Sequence, residues 1–234
     1  MSGGIIQFHN CFILRGGQIL KDDLWTRNGK IINPEKVFFD ERTYADVRIN
    51  CQGVLIAPGF IDVQINGGFG VDFSHDDENV EEGLKTVAKG MLAHGTTSFC
   101  PTLVTSPPEF YHKVIGRMGR TPGGPQGAEN LGVHVEGPFI SPQKKGAHEV
   151  KFIQKFINGF KAIEEVYGPH WRNITMITLA PELEQSSEVV ENLTKNGVTV
   201  SLGHSTGSLV QGEQAVREGA SFITHLFNAM LPVS

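Results

Sequence analysis

The first 57 residues read as short strands broken by turns. IIQFHNCFIL and GGQIL flank Arg15-Gly16-Gly17, and LWTR and KIINP flank Asn28-Gly29. The Asn-Gly pair is a strong hairpin signal, because both positions tolerate positive φ. ADVRIN follows, then VLIAPGFID, and Pro58-Gly59 marks the exit of a small β-module. From Phe60 the texture changes. FIDVQI, TSFCPTLV, LGVHVEG, ITMITLAP, VTVSLGH and SFITHLF are apolar runs with little alternation. Strands covered on both faces have this pattern. Helical spacing separates the runs. Val80, Leu84, Val87, Met91 and Leu92 share one helix face, with Asn79 placed as N-cap and Gly95 just past the end. Phe152, Phe156, Ile157, Phe160 and Ile163 predict another helix, and two more are expected at about 187–196 and 208–218.

A weak internal repeat supports the alternation. AHGTTSF, KNGVTVSL and REGASFIT each close a helix on a glycine (Gly95, Gly197, Gly219) and enter a strand at once. Such short joints are typical of parallel β/α units. An open doubly wound sheet and a closed barrel both fit. About six strands are visible where a barrel needs eight, and a complete barrel takes roughly 250 residues. The chain stops just past a strand, at HLFNAMLPVS. It therefore reads as a shortened chain whose sheet edges are expected to be open.

Composition is that of an ordinary globular protein, at 39% apolar and 19% charged residues. The net charge of −5 argues against a nucleic-acid or membrane-surface binder, which would show a basic excess. Three cysteines, Cys11, Cys51 and Cys100, form no C-x-x-C pair and read as reduced thiols. The N-terminus lacks the cationic region of a signal peptide, and no apolar run is long enough to span a bilayer. A cytoplasmic protein is expected.

The candidate chemistry sits at strand ends. VHVEG ends in Glu136, VSLGH in His204, and FITHL holds His225. In a parallel barrel these ends converge on the face that carries active sites. Two His and one Glu form a recognised catalytic zinc set with a position left for water. Each residue alone also reads as a hydrogen-bonded structural group, and spacing leaves both readings open. Gly67-Gly68-Phe69-Gly70 lacks the G-x-G-x-x-G spacing and reads as a tight turn lining the site. Lys144, Lys145 and His148 form a basic loop, read either as solvated surface or as capture of an anionic substrate.

Taken together, APGFIDVQINGGFGVDF, HGTTSFCPTLVTS, GVHVEGPFISPQKKGAH, TLAPE, VSLGHS and THLFNAM resemble the N-acetylglucosamine-6-phosphate deacetylases, a branch of the amidohydrolase superfamily. The resemblance runs in order from about Ala57 to Met230. It implies a metal-dependent (β/α)8 TIM-type barrel with a small β-sandwich formed by both chain ends. The domains would be a sandwich module at 1–57 and an incomplete barrel carrying the metal site at 58–234. It implies that Glu136, His204 and His225 hold one divalent metal ion, expected to be zinc. It implies that Ala147, His148, Asn228 and Ala229 contact the substrate. The implied reaction is hydrolysis of N-acetylglucosamine 6-phosphate to glucosamine 6-phosphate and acetate, with a homodimer for the full-length form.

Two departures matter. Many superfamily members carry His-x-His after the first strand to hold a second metal, where this chain has Gln64-Ile65-Asn66. Amides are poor substitutes for imidazole, so one metal is expected. The family's general acid/base Asp would lie beyond residue 234, so no catalytic residue of that kind is expected in this chain. A catalytically silent shortened form, or an amidohydrolase of another amide, are the alternatives.

Overall fold

A computed structural model describes residues 4–75 and 77–231. The chain divides into two compact units, one ending at Gly59 and one beginning at Phe60. The first holds β1 (Ile5–His9), β2 (Phe12–Arg15), β3 (Gln18–Lys21), β4 (Leu24–Arg27), β5 (Lys30–Ile31), β6 (Val47–Asn50) and β7 (Leu55–Ile56). These make a four-stranded sheet in the order β5-β4-β1-β6 and a three-stranded sheet in the order β3-β2-β7. Both expected hairpins form, β2 with β3 and β4 with β5. The IIQFHNCFIL run is broken at Asn10, whose left-handed φ of 56° turns the chain from the first sheet into the second. Gln52, at φ 53°, makes the matching turn between β6 and β7. Asn and other short polar residues tolerate this region best.

The second unit contains β8 (Phe60–Ile65), β9 (Gly67–Gly68), β10 (Val71–Asp72), α1 (Val80–Leu92), β11 (Thr96–Val104), α2 (Pro108–Val114), β12 (Glu129–Asn130) and β13 (Val133–Glu136). It continues with α3 (Lys161–Tyr167), β14 (Ile174–Leu179), α4 (Ser186–Lys195), β15 (Thr199–Leu202), α5 (Leu209–Arg217) and β16 (Phe222–Ile223). The GGFG segment is a small antiparallel hairpin, β9 with β10. Strands β8, β11, β13, β14, β15 and β16 lie side by side in chain order and all run parallel. Short β12 pairs with β11 just ahead of β13. A doubly wound sheet reverses its strand order at a switch point. This sheet has no reversal, so it is singly wound and curls as part of a TIM-type barrel.

Side chains alternate across the strands. Val133, Val135, Ile177, Leu179, Val200 and Leu202 point outward and pack under α1 and α4, which contribute Val80, Leu84, Val87, Met91, Val189, Val190 and Leu193. The intervening residues Thr102, His134, Glu136, Thr178 and Ser201 are also buried, but polar. A chain of hydrogen bonds satisfies them. His134 Nδ1 lies 3.1 Å from Thr102 Oγ1 and Nε2 2.8 Å from Thr178 Oγ1. Thr224 Oγ1 then lies 2.7 Å from Thr178 Oγ1 and 2.6 Å from Ser201 Oγ. Burial pushes the His134 pKa down to about 4. The outer edge strands expose Phe60 and Ile61 on β8 and Phe222 and Ile223 on β16.

One expected helix is corrected. The span from Phe152 to Ile163 is a short turn at Val150–Phe152, further turns, and then α3. Asn158-Gly159 interrupts the helical spacing, with Gly159 in the left-handed region at φ 55°. Phe156 is nonetheless buried, stacked 4.1 Å from Phe139, whereas Ile157 is 77% exposed. Among the described residues, no helix is long and apolar enough to cross a membrane. All three cysteines are free thiols.

Burial sets the cost of core substitutions. Ile177, at 0% exposure, should lose about 2–5 kcal/mol of unfolding free energy on change to Ala. Ile157→Ala should stay within about 0.5 kcal/mol. Urea titration of the two variants checks the contrast.

Candidate metal centre

The parallel sheet brings its C-terminal strand ends together. Glu136 is the last residue of β13, and His204 and His225 follow the ends of β15 and β16 by two residues each. One ligand atom from each lies within 4.8 Å of the other two. His204 Nε2 is 3.2 Å from Glu136 Oε1 and 3.0 Å from His225 Nε2. His225 Nε2 is 3.2 Å from the same carboxylate oxygen.

The tautomer of His204 follows from its other nitrogen. Nδ1 donates to the Lys144 carbonyl at 2.8 Å, so in the neutral ring Nε2 presents a lone pair to the cluster. Burial disfavours the imidazolium of His204, but its contacts with Glu136 and the Lys144 carbonyl outweigh this and raise its pKa. Burial would likewise raise the Glu136 carboxyl. The His204 hydrogen bond and the surrounding imidazoles prevail and hold it well below the usual carboxylate range.

These atoms fit a metal ion. Three potential electron-pair donors converge at 3.0–3.2 Å, a spacing that either a shared proton or a metal ion between them accommodates. A tetrahedral ion with bonds of roughly 2.0–2.1 Å sets its ligands about 3.3–3.4 Å apart, close to these separations. The donor set of two imidazoles and one carboxylate with an open side is the type found in catalytic zinc sites. Nδ1 of His225 is buried without a hydrogen-bond partner among the described residues, which leaves that ring held by its Nε2 side.

The triad opens into a cavity of about 610 Å³ that is also lined by Ala147, His148, Asn228 and Ala229. All four expected substrate residues thus face one space with the triad. His148 is buried, with Nδ1 accepting the Thr105 backbone N–H at 3.2 Å and lying 2.8 Å from the Thr105 hydroxyl. A backbone N–H can only donate, so the proton of the neutral ring sits on Nε2. That nitrogen faces Glu136 Oε2 at 3.7 Å. Burial lowers the His148 pKa to about 4, only partly opposed by Glu136. The ring is a neutral hydrogen-bond donor at ordinary pH.

Other groups were not legible from sequence in these roles. Gln64 donates from Nε2 to Glu136 Oε1 at 2.8 Å, and Asn66 and His75 also line the cavity. The pairing of His75 Nδ1 with Asp72 Oδ2 at 2.9 Å orients that ring. Lys144 serves the site through its carbonyl, and Lys145 Nζ donates to the Gly146 carbonyl at 3.1 Å. Backbone strain gathers here too. His204 at φ 50°, His225 at 27°, Phe227 at 74° and Ala229 at 50° all occupy the left-handed region. Non-glycine residues persist there only where surrounding structure over-determines them.

Comparison with known proteins places this geometry in context. The sequence pattern of the amidohydrolase family matches residues 55–232. The chain is 57% identical over 229 residues to N-acetylglucosamine-6-phosphate deacetylase of Rattus norvegicus, covering 97% of this chain and 56% of that protein. The corresponding Homo sapiens deacetylase is also 57% identical over 229 residues, with the same coverage. The crystal structure of N-acetylglucosamine-6-phosphate deacetylase from Pasteurella multocida superposes with a TM-score of 0.75 at 32% identity, covering 98% of this chain and 59% of that one. The chain therefore spans a little over half the length of these relatives.

Metal binding by the triad would have a direct thermodynamic signature. Zinc at 100 times its Kd should add about 2.7 kcal/mol to the unfolding free energy. His204→Ala should abolish that increment and the bound metal together. Denaturant titration with and without zinc, alongside elemental analysis, reads both. Stoichiometric metal in the variant would show the ligand set to be wrong.

Proposed function

This chain belongs to the amidohydrolase family, and we propose that it carries the metal-binding part of an N-acetylglucosamine-6-phosphate deacetylase site. The reaction is hydrolysis of the N-acetyl group of N-acetylglucosamine 6-phosphate to glucosamine 6-phosphate and acetate. The observation that carries the reading is the meeting of Glu136 Oε1, His204 Nε2 and His225 Nε2 beside the neutral donor His148. The names of the relatives support the substrate.

Glu136, His204 and His225 hold one divalent ion, which we assign as zinc because borderline N/O donors suit it. Such an ion supplies Lewis acidity, polarising a carbonyl oxygen and acidifying water. The protein groups do the rest. Gln64 occupies one lone pair of Glu136 Oε1 and so directs the carboxylate. Where a second imidazole ligand would be needed for a second metal, Gln64 and Asn66 offer only amides, so the site takes a single ion. His148 offers Nε2–H to an acceptor oxygen of the substrate, and Ala147, Asn228 and Ala229 line the space for the sugar. A homodimer of the full-length enzyme belongs to the same proposal.

Full-length enzyme should release acetate from N-acetylglucosamine 6-phosphate, and chelation should stop it. No metal-dependent release would sink the activity. Equal turnover of N-acetylglucosamine without the phosphate would redirect the reading to another amide substrate. His148→Ala removes a buried donor at a cost of about 1–3 kcal/mol, so kcat/KM should fall roughly 5–150-fold. The loss should fall mainly on KM, with metal content unchanged. A normal KM would remove His148 from the substrate site.

A further inference from the structure

Glu182 follows β14 in the segment Ala180-Pro181-Glu182 and lies outside the triad and its cavity. Its carboxylate accepts three hydrogen bonds from the loop after β15. Ser205 Oγ donates to Oε2 at 2.6 Å, and Thr206 donates to Oε1 from its backbone N–H at 2.6 Å and from its hydroxyl at 3.0 Å. Gly207 N–H donates to Ser205 Oγ at 2.8 Å, which extends the same turn.

That loop carries His204, held at φ 50°. On its N-terminal side the loop is fixed by Gly203 N–H on the Leu179 carbonyl at 3.1 Å and by Ser141 N–H on the His204 carbonyl at 2.8 Å. On its C-terminal side, the hold comes from Glu182 and from Ser205 N–H on the Ala229 carbonyl at 3.1 Å. Ala229 is itself left-handed and lines the cavity beside Asn228. One carboxylate therefore fixes the residues next to a candidate ligand and, through Ser205, the segment that faces the substrate space.

We propose that Glu182 is a positioning residue for the metal centre, keeping His204 Nε2 aimed at Glu136 and His225 and keeping Asn228–Ala229 in register with it. The inference rests on the metal-centre reading above. Outer partners of metal ligands matter in this way because a ligand's direction, as well as its identity, sets affinity.

The test measures zinc affinity of the whole enzyme by competition with a chromophoric chelator. Glu182→Ala should weaken affinity by about 10–100-fold, and at saturating zinc its KM should rise. Glu182→Gln should recover most of the affinity, because the amide oxygen can take the Thr206 N–H while the Ser205 hydroxyl turns to accept from the amide. Ser205→Ala, which removes one donor, should fall between. Leu193→Ala, in the core under α4, should lower thermal stability and leave zinc affinity unchanged. Wild-type affinity in both Glu182→Ala and Ser205→Ala would overturn the inference. If Glu182→Ala does not fold, Ser205→Ala and Thr206→Ala decide it in the same assay. Loss of zinc in His204→Ala with no change in the Glu182 and Ser205 variants would defeat this inference alone. Retention of zinc in His204→Ala would defeat the metal-centre reading beneath it.

Discussion

Three electron-pair donors pressed to within 3.0–3.2 Å of one another are the constraint around which this structure is organised. A buried cluster of this kind has to share a proton or a cation, since converging lone pairs alone are unfavourable. Glu136 and His204 are held in it by groups that do not take part in it, whereas the His225 ring is held from its Nε2 side. Glu136 ends a fully buried strand and accepts from Gln64. His204 is anchored through Nδ1 to a carbonyl and through its own carbonyl to Ser141 N–H. The fold supplies the convergence and the restraint together, and a cation between the donors would use both.

The restraint extends below the site. In a barrel core filled only with aliphatic side chains, the inner face would carry no information about rotation or register. Here the inner positions Thr102, His134, Thr178, Thr224 and Ser201 form a continuous hydrogen-bonded layer across neighbouring strands. A buried polar layer is costly if any member loses its partner, so it favours one relative setting of the strands. His134 and Glu136 are two residues apart on one strand and point the same way. The setting that satisfies His134 therefore also fixes the direction of Glu136. The outer aliphatic cluster supplies most of the burial free energy, and the inner layer supplies specificity.

Much of this was legible in the sequence, and the limit is physical. Strand runs and the glycine-closed helices revealed parallel β/α units, because strong periodicity and φ-positive glycines leave a local record. The strand-end positions of Glu136, His204 and His225 followed from those units. What settled the barrel over the doubly wound sheet was strand order, a nonlocal property that no window of residues contains. The helix expected through Phe160 failed for the opposite reason. Its apolar spacing was real, since Phe156 and Ile163 are buried, but Asn158-Gly159 breaks the backbone between them. His148 was legible as one member of a basic loop, but not as a neutral donor, since its tautomer depends on a backbone N–H donated by Thr105.

The least legible features are those built from main-chain groups. The Lys144 carbonyl, the Ser141 and Ser205 N–H groups and the left-handed settings of His204, His225 and Ala229 leave no signature in residue type. They nevertheless decide which nitrogen of an imidazole faces the cluster. A ligand set read from side chains alone thus names the donors but not their lone-pair directions. Direction is what distinguishes a metal centre from three polar residues that happen to be close. In this chain it comes from loops that tie to one another, β13 to β15 through Ser141 and His204, and β15 to β16 through Ser205 and Ala229. The rigid strands bring the ligands near; the mutual bonding of the loops makes their lone pairs converge.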